Sequence, residues 1–284
     1  MSANSITIDG KVALVDLPVN YNAAIAYPCL VFLPGLGETG TAGTSKLLVH
    51  GPFLYLNANA GSGQPIITIA VQPDETYGLQ PGEALAILNS ISVQYKISKF
   101  YLTGLSLGCQ EWMDYFWTPG QDLSKIGGLF MFSADPPNMP PYGTAVKNYS
   151  IFKTNPILYY GACGSADSMY GMQYPDYQAI QSLPPMIPAF WDDFVGAGHG
   201  DPVWSDGYNP AWSSPSMGMN IYAKVAQLSP ISAPIPPVTP PLAAGLQLTT
   251  ATSAQLAEVP PTTGLVYYNS TTGKITVGNG TAWT

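Results

Sequence analysis

Charge is what this chain has least of. Asp, Glu, Lys and Arg together make up 9% of its 284 residues, the net charge is −8 and the pI is near 4.4. Nine basic side chains are too few to build the cationic face that a nucleic-acid backbone requires, which argues against nucleic acid as a partner. The acidic balance argues equally against a partner drawn to positive charge. Histidine is scarcer still, at two residues, and cysteine numbers three. An odd count of Cys29, Cys109 and Cys163, at spacings that match no metal site, predicts free and mostly buried thiols, with no metal and no cofactor. No apolar run is long enough to span a bilayer. The opening Met1-Ser2-Ala3-Asn4-Ser5-Ile6 has neither a basic start nor an apolar core, so no secretory leader is expected. The surface is left to Ser, Thr, Asn, Gln, Gly and Tyr. With 28 prolines and 12% aromatics, this composition suits a protein that works outside a cell or within a particle.

Against these absences stands Tyr101-Leu102-Thr103-Gly104-Leu105-Ser106-Leu107-Gly108-Cys109, which reads as an apolar strand, a Gly-x-Ser-x-Gly elbow and a helix start. Glycines two residues either side of Ser106 suit a sharp strand-to-helix turn where side chains would clash, leaving Ser106 to project its oxygen into solvent as an acyl-transfer nucleophile. Such a serine needs a base near neutral pH, and only His50 and His199 are available. The order serine, acid, histidine that accompanies this elbow in α/β-hydrolases selects His199, flanked by Gly198 and Gly200, and leaves His50 as structural. The acid is expected between them at the end of a strand, where a carboxylate can hold the imidazole tautomer. Asp167, after the apolar run 156–162, fits best, and Asp135, after the run 128–134, is the alternative. Asp192 and Asp193 are too close to His199 in sequence, and Asp176 reads as a helix cap. An oxyanion hole needs two N–H groups, one from the residue after the serine, Leu107, and one from an earlier glycine-rich loop, Leu36 or Gly37 in Leu33-Pro34-Gly35-Leu36-Gly37-Glu38-Thr39-Gly40.

Taken with His50-Gly51-Pro52, Val71-Gln72-Pro73 and Gly196-Ala197-Gly198-His199, these segments resemble the esterase and predicted-peptidase branch of the α/β-hydrolases, the branch of dienelactone hydrolases, feruloyl esterases and polyhydroxybutyrate depolymerases. Five ordered motifs over about the first four-fifths of the chain carry the resemblance. It implies a metal-free serine hydrolase with Ser106, Asp167 and His199 as triad. The chain departs from the pattern at Pro34, where relatives usually carry His, and at Cys109, where many carry Gly. Cys109 is expected to be a buried packing residue.

The rest of the chain supports an α/β-hydrolase fold, a mostly parallel twisted sheet with helices on both faces. An Asp9-Gly10 turn joins a hairpin over 5–15. Apolar runs at 28–33, 65–71, 99–103, 126–132, 157–160 and 189–195 suit buried parallel strands. Helical spacing places helices at 81–95, 107–117 and 217–228. Three segments are expected: a hydrolase domain over 1–228, a stiff proline-rich linker over 229–241, and a small β appendage over 242–284 with a hairpin at 264–277. That tail resembles short β modules of phage tail, fibre and head-decoration proteins and of some bacterial surface proteins. The resemblance implies a virion or extracellular setting in which the tail binds a virion or surface partner, or self-associates.

Three functions compete at this point: an ester hydrolase, a serine peptidase on the same fold, and a non-catalytic decoration protein retaining the fold. The complete Ser106, Asp167 and His199 set counts against the third; the first two share that triad, and the ester hydrolase is the favoured expectation. Tyr77, Trp204, Tyr208 and Trp212 fall in loops near strand ends, where they could line an aromatic groove for an aryl or glycan substrate. An acylated host surface glycan is the concrete candidate.

Overall fold

The computed structural model describes residues 4–40, 43–56, 61–75, 78–80, 82–134, 147–231, 249–251, 266–269 and 274–277. The chain divides into two units, Met1–Ala233 and Pro234–Thr284.

The first unit opens with strands β1 (Asn4–Ile8) and β2 (Lys11–Asp16), paired antiparallel with Ile8 opposite Lys11. Asp9 and Gly10 both take positive φ, 51° and 76°, the backbone that a two-residue hairpin turn requires. Six further strands follow: β3 (Tyr27–Leu33), β4 (Ile67–Val71), β5 (Ile97–Leu105), β6 (Ile126–Phe132), β7 (Leu158–Gly164) and β8 (Phe190–Phe194). Between and after them lie a 3-10 helix at Gly43–Leu48 and helices α1 (Phe53–Leu56), α2 (Glu83–Gln94), α3 (Leu107–Trp117), α4 (Ile151–Thr154), α5 (Tyr170–Ser182), α6 (Val203–Asp206) and α7 (Ile221–Leu228). The eight strands form one sheet in the order β1-β2-β4-β3-β5-β6-β7-β8. From β4 to β8 every neighbour is parallel, and β2 joins β4 antiparallel. This is the α/β-hydrolase fold.

Both faces of the sheet are covered, and the strands show why in their alternation. Val31, Leu102 and Met131 enter one core with Ile87 of α2 and Trp112 and Phe116 of α3. Their chain neighbours Phe32, Tyr101 and Phe130 enter the other with Tyr208, Ile221 and Tyr222. A strand buried on both sides has no polar face to display, hence the unbroken apolar runs. Each large side chain so buried contributes roughly 1.5 to 3 kcal/mol. Among the described residues no helix is long and apolar enough to cross a membrane.

The sequence-based elements match within a few residues, while the 3-10 helix, α1, α4, α6 and a strand at Thr249–Ala251 are additional to them, and two differences bear on named residues. Helix α7 begins at Ile221, not at residue 217, because the Asn220 side chain accepts the Ala223 N–H at 2.9 Å and starts the helix there. Helix α5 was not anticipated at all, and Asp176 lies in its interior, not at a cap. There the Asp176 carboxylate pairs with Lys147 Nζ at 2.7 Å and accepts the Tyr149 hydroxyl at 2.6 Å.

In the second unit, β10 (Val266–Asn269) and β11 (Lys274–Val277) pair antiparallel, and β9 (Thr249–Ala251) lies parallel to β10. The sequence reads as a further turn and short strand at 278–283, and these positions lie outside the described residues.

Candidate active site

Strand β5 runs directly into α3 through one residue, Ser106, at φ 49° and ψ −113°. A serine held there is strained, and the surroundings show what holds it. A Cβ on Gly104 would lie 2.5 Å from the Gly108 carbonyl carbon, and one on Gly108 would lie 2.2 Å from the Leu33 carbonyl oxygen. Only glycine at both positions lets the strand, the helix and the end of β3 approach so closely. The Gly104 carbonyl accepts the Cys109 thiol at 2.8 Å and the Tyr208 hydroxyl at 3.2 Å. Trp112 Nε1 donates to the Thr103 carbonyl at 2.9 Å, and the Ser106 N–H to the Phe132 carbonyl at 3.1 Å. Cys109 is buried and serves as a brace for the elbow.

The His199 ring reaches Ser106 from the loop after β8. That loop is pinned against the end of β7: Ala166 N–H donates to the Ala197 carbonyl at 2.9 Å and Gly196 N–H to Ser165 Oγ at 2.8 Å. A Cβ on Gly164 would fall 2.2 Å from that same Ala197 oxygen. His199 Nε2 lies 2.9 Å from Ser106 Oγ, and His199 Nδ1 lies 3.0 and 3.1 Å from the two Asp167 oxygens. With the Nδ1 proton directed to Asp167, Nε2 is left as the acceptor for the serine proton. Burial alone would raise the Asp167 pKa, but the Met169 N–H at 2.9 Å and His199 outweigh it, and the carboxyl is held below its ordinary value. The Cys163 thiol also faces Asp167, at 3.4 Å, and burial beside that carboxylate pushes it up to about 12, so it stays neutral.

Ser106 is 6% exposed, less open to solvent than expected, because the histidine ring and the loop after β3 close over it. A Cβ on Gly35 in that loop would be 3.7 Å from Ser106 Cβ. Among the described residues the Leu36 and Leu107 N–H groups make no hydrogen bond to a backbone carbonyl outside the regular elements. The alternative acid Asp135 lies outside the described residues, as does Tyr77.

Of the remaining aromatics, Trp204 flanks the site, its ring edge-on to His199 with centroids 5.0 Å apart. Trp212 stacks on Phe194 at 5.6 Å. Tyr208 is no groove residue: it is fully buried and its hydroxyl bonds Thr103 Oγ1 at 2.7 Å. Sequence reasoning also missed the company of His50. Its Nδ1 bonds the Glu38 carboxylate, and its ring stands edge-on to Trp204 at 5.2 Å, on the way to His199. Asp192 is buried and structural, accepting the Tyr160 hydroxyl at 2.9 Å and the Ser216 N–H at 2.9 Å.

No family model matches the chain, and no curated protein matches it. Among solved structures, a feruloyl esterase module from Clostridium thermocellum, complexed with sinapinate, aligns at 15% identity and TM-score 0.51 over 69% of this chain and 81% of that one. Esterase 2 of Thermogutta terrifontis, phosphoramylated by tabun, aligns at 13% identity and TM-score 0.51 over 70% of this chain and 85% of that one. Its propionate-bound form aligns at 13% and TM-score 0.50, with the same coverage. These likenesses establish the fold.

Proposed function

We propose that the chain is a serine esterase acting on carboxylic esters. The observation that carries this reading is the unbroken hydrogen-bonded series Ser106, His199, Asp167 at an elbow that only glycines could form. In the proposed reaction His199 Nε2 takes the Ser106 proton as Oγ attacks the ester carbonyl. The resulting oxyanion rests on the Leu36 and Leu107 N–H groups. The imidazolium then gives its proton to the departing alcohol, leaving an acyl-serine. Water, deprotonated by His199, attacks that acyl group, and release of the acid returns the proton to Ser106. Asp167 holds the imidazole tautomer and stabilises its charged form throughout. The solved structures named above are esterases, and that supports an ester as substrate, though a peptidase could share the fold.

The finer reading is a virion-attached or extracellular enzyme that deacylates host surface glycans, anchored by the second unit. Its support is the sequence resemblance of the tail and the sparse charge. Hydrolysis of a short-chain p-nitrophenyl ester by the intact chain and by Ser106→Ala tests the esterase reading. Release of acetate from host glycans tests the finer one, and activity on simple esters with no acetate release would defeat it.

A further inference from the structure

Away from Ser106, a cavity of about 180 Å³ lies between α2 and α3, lined by Leu79, Ala84, Leu85, Tyr115, Glu111 and Asp114 among others. Its walls are mostly apolar, yet two carboxyls face into it. Glu111 is 4% exposed. Its Oε1 accepts the Leu79 N–H at 2.6 Å, while Oε2 has no partner among the described residues. Both Asp114 oxygens are likewise shielded from solvent, with the Gln110 side chain as a polar group beside the carboxyl. The chain passes so close that a Cβ on Gly78, at φ 92°, would lie 1.4 Å from Glu111 Oε1. The carboxyl is thus fixed in place, with one oxygen directed to backbone and the other left over.

A buried carboxyl is tolerated either as the neutral acid or as a carboxylate paired with a cation. Among the described residues no basic side chain pairs with either carboxyl, and Lys11 of β2, which reaches the neighbouring Glu83 at 2.6 Å, is shared with Asp74 at 3.4 Å. A metal ion is a poor fit, since no group of three or more ligating side chains occurs among the described residues, and two carboxyls on an apolar wall cannot complete a shell. A cavity of about 150 Å³ accommodates a body of benzene size. We propose that this cavity is a binding site for a small organic ammonium ion, with a hydrocarbon body of about six carbons against Leu79, Ala84 and Leu85 and its charge on Glu111 and Asp114. The site stands apart from the proposed esterase centre, and none of Ser106, Asp167 and His199 lines it.

The carboxyls give the site a distinctive signature. Burial, with Asp114 and Glu83 nearby, pushes Glu111 up to about 8 against the Leu79 N–H, and burial pushes Asp114 up to about 7 against the hydrogen bond from Gln110. The groups facing them are Glu83 from α2, paired with Lys11, and the Tyr115 phenol from α3, whose own pKa is raised. Below about pH 7 both carboxyls are therefore mostly neutral, and seating a cation beside them drives a proton off.

Calorimetry on the intact chain at fixed ionic strength, with cyclohexylammonium chloride and its neutral counterpart cyclohexanol, tests this. The expected result is saturable binding of the amine, release of up to one proton per ligand, and affinity rising by up to about tenfold per pH unit from pH 6 to 7.5. Glu111→Gln should weaken binding at least tenfold, Leu85→Trp should block it by filling the cavity, and Ser106→Ala should bind as wild type. The Leu85 variant decides the matter should Glu111→Gln fold poorly. Equal binding of cyclohexanol, magnesium binding in place of the amine, unchanged binding by Glu111→Gln, or no binding by folded protein would each overturn the proposal.

Discussion

Replacing Glu111 with Gln should make the protein more stable, and increasingly so as pH rises. Glutamine keeps a carbonyl oxygen for the Leu79 N–H, which Glu111 Oε1 accepts at 2.6 Å, and resembles the neutral acid in shape. Wild-type Glu111 is displaced from an ordinary 4.5 to about 8. Because the folded-state value is raised, ionisation opposes folding. The contribution of the neutral acid is complete below the unfolded value and is lost as pH climbs through the folded one. Between about pH 6 and pH 9 that loss is on the order of 2 to 3 kcal/mol, or roughly 5 to 10 °C in Tm for a domain of this size. Thermal melts by circular dichroism across that range should show the wild-type Tm falling faster than that of Glu111→Gln, with Glu111→Gln/Asp114→Asn flatter still. Parallel curves for wild type and variant would refute the reasoning, since they would mean that Glu111 is already ionised, or solvated, in the folded state.

Two further outcomes concern the site. Asp167→Asn should leave the fold and KM nearly unchanged and lower kcat by about 10³ to 10⁴, through loss of the imidazole tautomer and of the charge that stabilises imidazolium. A loss under tenfold in steady-state assays would shift the acid's role elsewhere, Asp135 first. Trp204→Ala removes the ring 5.0 Å from His199 and should lower kcat about tenfold with KM little changed, while Trp204→Phe restores most of it. Equal losses in both variants would assign Trp204 a role in folding and not in positioning the imidazole.

What could be read from the sequence was what rests on local pattern. Strands β3 to β7 are apolar runs because both sheet faces are covered, and the Asp9-Gly10 turn declares its backbone outright. The elbow was legible because its glycines answer contacts within a few residues or with the end of β3. Helix α5 was not, because its buried positions include Gln173 and Asp176 and it contains Gly171 and Pro175. Its inward face is satisfied by hydrogen bonds such as Gln173 Nε2 to the Met131 carbonyl at 2.8 Å, so no hydrophobic period marks it. Tyr208 looked like a surface aromatic for the opposite reason: its buried hydroxyl finds Thr103 and Gly104 about a hundred residues away. The pairing of His50 with Glu38, and their approach to His199 through Trp204, likewise depends on loops that meet only in the folded chain.

The central claim is that Ser106 is an acyl-transfer nucleophile. Its most direct test is mass spectrometry of the intact chain after exposure to an organophosphonate ester, beside hydrolysis of a short-chain p-nitrophenyl ester. The account predicts one covalent adduct, mapped to Ser106, with stoichiometric loss of ester hydrolysis, and neither adduct nor activity in Ser106→Ala. Ester hydrolysis that survives in Ser106→Ala, or an adduct on another residue, would contradict it.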